Sequence, residues 1–211
     1  MASSPRWAGL VVALAAATAA GQALFFQTEV GQVALVDLWE RTAEAFGQPV
    51  DEARYAELQA LSAHGPLYGV ITAILGGPVL TLVVAAVVFV AVRPSGNRAV
   101  SFTQVLAVAA HAGVILALRQ LVSVPVNYAR EATGGATSLG VLFPGLDAAS
   151  FVGRLLGTLD VFVLWWVVVL AIGVGVLYGR PARSLTIAFV GVYAGLALLL
   201  AVTMTALGGT A

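Results

Sequence analysis

Arg119, Asp160 and His111 are the residues in this sequence that could do chemistry, because each puts an ionisable group inside an otherwise apolar stretch. An arginine and an aspartate at one depth in a low-dielectric medium pair, whereas ionisable groups strung together through a histidine can relay protons. Arg119 stands about five residues before the end of its stretch, and Asp160 about five residues after the start of its own. At 1.5 Å per residue both lie about 8 Å inside the same surface, so a salt bridge between neighbouring helices is the economical expectation. His111 lies deeper in the stretch that carries Arg119 and is expected to bond across helices or, in the relay reading, to extend the path. Asn127 and Gln104 are secondary polar candidates. His64 and His111 fall at different depths with no acidic cluster between them, and cysteine is absent, so no metal site and no cofactor are expected. No Ser-His-Asp order and no phosphate-cradling glycine loop stands in a supporting context. The sequence predicts no enzyme.

The elements that hold these residues must be membrane spans. Hydrophobic residues make up 60% of the 211 positions and charged residues only 9%, against roughly 25% charge in soluble domains. A water-soluble fold could not cover so much apolar surface. A helix crosses the hydrocarbon layer with about 20 apolar residues, and charge-poor intervals place five spans at about 7–26, 66–92, 102–124, 155–177 and 185–207. The expected fold is an all-α polytopic bundle in a single membrane domain. Gly76-Gly77-Pro78 is expected to kink or break the second span. Formal net charge is zero, which gives no basic field for nucleic acid.

Arginine placement sets the expected direction. With the N-terminus inside, Arg6, Arg93, Arg98, Arg180 and Arg183 all fall in cytoplasmic segments, and the C-terminus lies outside. All ten basic residues are arginine, which together with the abundant alanine and glycine points to the cytoplasmic membrane of a prokaryote. The competing reading of the first span is a cleavable signal peptide, although about 20 apolar residues is long for a signal core.

Residues 29–65 form an extracytoplasmic insertion in the first outside loop. Leu35, Leu38, Trp39, Ala43 and Phe46 recur at helical spacing, and Gly47-Gln48-Pro49 ends that run. Asp51 can cap a second short helix whose stripe is Tyr55, Leu58 and Leu61. The pair of amphipathic helices roofs the bundle or offers a docking surface. Gly-x-x-x-Gly spacings allow close helix approach. Gly191 with Gly195, in mid-span, is the best seam candidate, within the chain or between copies of it, and Gly153 with Gly157 is another.

The run Leu159-Asp160-Val161-Phe162-Val163-Leu164-Trp165-Trp166, followed by Leu170-Ala171-Ile172-Gly173, resembles the signature of the Yip domain family of Ypt-interacting membrane proteins. Ser101-Phe102-Thr103-Gln104-Val105-Leu106-Ala107-Val108, Val124-Pro125-Val126-Asn127 and Thr137-Ser138-Leu139-Gly140 add to it, over roughly Pro66 to the C-terminus. The resemblance implies five spans, a cytoplasmic N-terminus, no catalysis and, by analogy, a small GTPase as partner. It favours a scaffold or adaptor that works through the lipid bilayer, other membrane proteins or a homo-oligomer. The alternative is a small transporter or channel with a polar path past Arg119, Asp160 and His111.

Overall fold

The computed structural model describes residues 6–92, 99–131 and 135–208, and among them it is helical with no extended strand. Five helical stretches are long and apolar enough to cross a bilayer: Trp7–Phe26, Gly65–Val92, Phe102–Ala129, Val161–Tyr178 and Ala182–Leu207. In chain order the elements are α1 (Arg6–Phe26), α2 (Glu29–Ala45), α3 (Glu52–Ser62), α4 (Gly65–Val92), α5 (Phe102–Ala112), α6 (Val114–Ala129), α7 (Phe151–Thr158), α8 (Val161–Tyr178) and α9 (Ala182–Gly208). Arg93 and Arg98, used to orient the chain, lie outside the described residues.

Side-chain caps decide where several helices begin. Thr28 accepts from Gly31 N, Asp51 from Arg54 N and Ser150 from Gly153 N. Each supplies an acceptor to an N–H that the first helical turn leaves unpaired. Gly179 ends α8 in the left-handed conformation, at φ 66°, which turns the chain sharply into α9.

Two spans depart from the sequence reading. The third is two helices, α5 and α6, joined through Gly113, and it runs on to Ala129 through Pro125. Its far end is held because Val124 packs beside Phe25, Phe26 and Leu35. The fourth begins at Val161 and not near residue 155, because residues 151–158 form the separate helix α7. Asp160 therefore stands at the N-cap of α8 and not inside a span. The expected break at Gly76-Gly77-Pro78 does not occur, and α4 is continuous for 28 residues. A break there would strand further backbone groups in hydrocarbon, where nothing could pair with them.

The core gathers at one end of the bundle. Val88, Val105, Leu170, Ala171, Val174 and Tyr178 pack together there, with Phe89 and Phe102 edge-on at 5.7 Å. At the other end α2 crosses the bundle, with Ala34 and Leu35 fully buried and Trp39 edge-on to Tyr68 at 5.5 Å. α3 packs on α2 through Leu58, while Tyr55 and Leu61 of its expected stripe are exposed. Outward faces are apolar, with Val90, Leu121 and Val176 each about 70% exposed. Such faces suit the hydrocarbon of a bilayer.

Within the chain, Gly191 with Gly195 and Gly153 with Gly157 do not mark a close approach of two helices. A Cβ at Gly191, Gly195 or Gly157 would meet nothing within 4 Å, and one at Gly153 would strike Asp147 O of its own connecting loop. The close seams are Gly69, where a Cβ would come within 2.9 Å of Gln22 Cβ on α1, and Gly173, where it would come within 2.6 Å of Val108 Cγ1. The periodicity of glycine marks a flat stripe but not the side on which a neighbour sits. Gly69→Val is expected to destabilise the purified protein by about 1–3 kcal/mol through overpacking. Gly191→Ala should leave the thermal midpoint of the monomer in detergent unchanged, and a paired melt of the two variants checks both statements.

Candidate functional site

The polar centre of the molecule forms where α6, the loop before α7 and the first residues of α8 meet. Asp160 ends a short extended stretch after α7. An antiparallel bridge holds that stretch against the loop, through Leu139 N to Leu159 O at 2.8 Å and Val161 N to Thr137 O at 3.1 Å. The bridge sets the aspartate at the head of α8. Its Oδ1 accepts from Phe162 N at 2.8 Å and Val163 N at 3.1 Å. A carboxylate capping a helix N-terminus also meets the positive end of the helix dipole.

The second carboxylate oxygen faces α6. Arg119 Nε donates to Asp160 Oδ2 at 2.8 Å, and Thr137 Oγ1 donates to the same oxygen at 2.5 Å. Arg119 Nε also reaches Thr137 Oγ1 at 3.2 Å. Tyr193, on α9, closes the cluster from the other side. Its Oη accepts from Asp160 N at 2.8 Å and donates to Thr158 O at 3.2 Å. Four helices and a loop are tied through one residue.

Burial makes the tie matter. The Asp160 side chain is only 8% exposed, while that of Arg119 keeps 34% of its surface open. The open part of Arg119 borders two cavities. One of about 440 Å³ lies among α1, α4, the α5–α6 pair and α8, and one of about 210 Å³ lies between α1 and α6 below Gly135 and Ala136.

The remaining polar candidates do not join this cluster. His111 Nδ1 bonds Ala107 O of its own helix at 2.7 Å, and the ring is exposed, so the expected cross-helix bond is absent there. A histidine at i can always satisfy itself on the carbonyl of i−4 when its face of the helix looks outward. Gln104 is spent on a capping box at the start of α5, where its Oε1 accepts from Ser101 N at 2.9 Å. Asn127 lies beyond the ion pair and lines the smaller cavity. The sequence reading did not single out Tyr193, and it met Thr137 only inside a family motif. A lone tyrosine in mid-span, able to reach a backbone group, was the available signal. Among the described residues no group of His, Asp or Glu could hold a metal ion.

Asp160→Asn is expected to lower stability by roughly 2–3 kcal/mol, below the 3–5 typical of breaking a fully buried pair because Arg119 is partly solvated. Tyr193→Phe, which removes one hydroxyl from two backbone partners, should cost about 1 kcal/mol. Thermal unfolding in a mild detergent, followed by helix content, measures both.

Comparison with known proteins ties this cluster to a family. No curated protein and no solved structure matches the chain. The model of the Yip1 domain matches residues 1–204, which takes in four of the apolar helices and most of the fifth, the α2–α3 pair and every member of the polar cluster. The chain belongs to the Yip1 domain family.

Proposed function

We propose that the protein is a non-catalytic membrane scaffold or adaptor, inserted with its N-terminus in the cytoplasm and its C-terminus outside, in the cytoplasmic membrane of a prokaryote. It acts through contacts with other membrane proteins or with copies of itself. The observation that carries this reading is the saturation of Asp160. Its two carboxylate oxygens accept four hydrogen bonds from the chain itself, and the side chain is nearly sealed. A relay group must exchange partners and be reached by water or solute. A carboxylate held by two backbone amides, a threonine and an arginine is a fastener. The α2–α3 pair supports the same reading, since it covers the bundle end with one apolar side and presents Asp37, Glu40, Arg41 and Glu44 elsewhere.

A transport reading draws on one observation, the cavities that Arg119 borders. The two readings part in sealed liposomes. Under an imposed pH gradient or membrane potential, the wild-type protein is expected to conduct no faster than protein-free vesicles. Asp160→Asn should lower thermal stability without changing that baseline. A proton or ion flux abolished by the substitution in folded protein would overturn the scaffold reading. Orientation is open to a direct check because the chain has no cysteine. A cysteine introduced at Glu57 is expected to react with an impermeant maleimide in intact cells, and one at Ser184 only after lysis.

A further inference from the structure

We propose that the two cavities beside Arg119 hold one phospholipid, with an acyl chain in the larger and the phosphate-bearing headgroup in the smaller. Gln22, Arg119 and Gln120 line both cavities, so the two chambers meet at the arginine. The larger, of about 440 Å³, is walled by Val11, Leu14, Leu80, Val163 and Trp166. That volume is far beyond a single water, whose share of liquid is about 30 Å³, and most of its wall is apolar. The smaller chamber, of about 210 Å³, gathers Gln22, Arg119, Gln120, Ser123 and Asn127.

Two atoms in the smaller chamber call for a ligand. Ser123 Oγ and Asn127 Oδ1 are buried with no hydrogen-bond partner among the described residues, and Ser123 as a whole is 7% exposed. Buried polar atoms are satisfied in nearly every folded protein, by protein or by something bound. Arg119 spends Nε on Asp160 and Thr137, and the residue lines both chambers. Arginine donors and a serine hydroxyl suit an oxyanion such as a phosphate. The Asn127 carbonyl oxygen needs the opposite, an O–H or N–H donor.

A phosphoglycerol or phosphoethanolamine headgroup supplies oxyanion and donor together. Phosphocholine supplies only the oxyanion. The depth fits as well, since Arg119 is level with the N-cap of α8, where that span begins. The ligand's two halves thus match the two chambers, apolar and polar, in order.

The test uses the full-length protein purified in detergent and examined by native mass spectrometry. Phosphatidylglycerol, phosphatidylethanolamine, phosphatidylcholine, glycerol 3-phosphate and inorganic phosphate are each added. One phosphatidylglycerol or phosphatidylethanolamine per chain is expected to remain bound, at least about ten-fold in preference to phosphatidylcholine. Asn127→Leu should erase that preference, and Ala117→Phe, which fills the larger chamber, should reduce retention of every lipid about ten-fold. In the wild type, a phosphatidylglycerol with a photoreactive acyl chain should label α1 between Val11 and Gln22 or α6 between Leu116 and Val124. Equal retention of phosphatidylcholine, or labelling confined to the outward face of α9, would overturn the proposal. So would binding of inorganic phosphate or glycerol 3-phosphate as tight as that of the lipids, which would assign the site to a soluble phosphate. Should either variant lose its helix content, the wild-type headgroup preference and labelling map decide alone.

Discussion

A carboxylate at the head of a membrane helix must find donors or give up its charge, and the way Asp160 finds them organises one whole end of this protein. Two donors are the first free amides of α8, which exist only because the helix starts there. The other two come from α6 and from the loop that follows it. The carboxylate cannot be satisfied unless α6, the loop and α8 are already in register. Tyr193 then extends the demand to α9, because its hydroxyl serves the backbone on both sides of the aspartate. Hydrogen bonds of this kind strengthen where water is scarce, and an incomplete set there is costly. The interaction therefore specifies an arrangement more than it adds stability.

The two ends of the bundle solve different problems. In lipid there is little hydrophobic drive for helices to associate, so close packing and polar contacts must do the work. At the end where α5 and α9 begin, small residues and tight apolar contacts suffice, as Ala85, Ala109, Ala171 and Gly173 show. At the opposite end the helices splay around the cavities that Arg119 borders, and polar ties replace packing. α2 closes that end over Phe25, Phe26 and Tyr68. The turn that follows α2 meets α9 so closely that a Cβ at Gly47 would lie 2.6 Å from Leu207 O.

Hydropathy made the spans legible because a bilayer imposes length and apolarity on any crossing segment. It could not separate α7 from α8, since residues 155–159 carry no charge and run directly into the span that follows. The boundary is written in one polar residue, Asp160, which a window average absorbs and which reads equally well as a buried charge. The same averaging hid the joint at Gly113. Arg119 and Asp160 stood out as a pair because charge is rare at membrane depth, so their types alone carried information. Thr137 carried none by composition, and Tyr193 offered only the weak signal of a single hydroxyl in mid-span. Glycine spacing left the seam's partner open for a geometric reason. It reports a flat face at Gly191 and Gly195, but which way the face turns is set by loops and by partners elsewhere in the fold.

A residue that fastens four helices constrains what the protein can do as well as how it stands. Alternating access would require one group of spans to rock against another, and Asp160 joins α6, α8 and α9 across any such division. Each rocking step would have to open a nearly sealed carboxylate and strand its arginine. α1 and α4 lie away from the cluster, line the large cavity and meet the tie at Arg119. Those two helices pack chiefly on each other, through Gly65 and Gly69 against Phe26 and Gln22. They form a close pair that also meets α5 and α6. The same hydrogen bonds that hold α6, α8 and α9 in register therefore oppose any rocking of one of these helices against another.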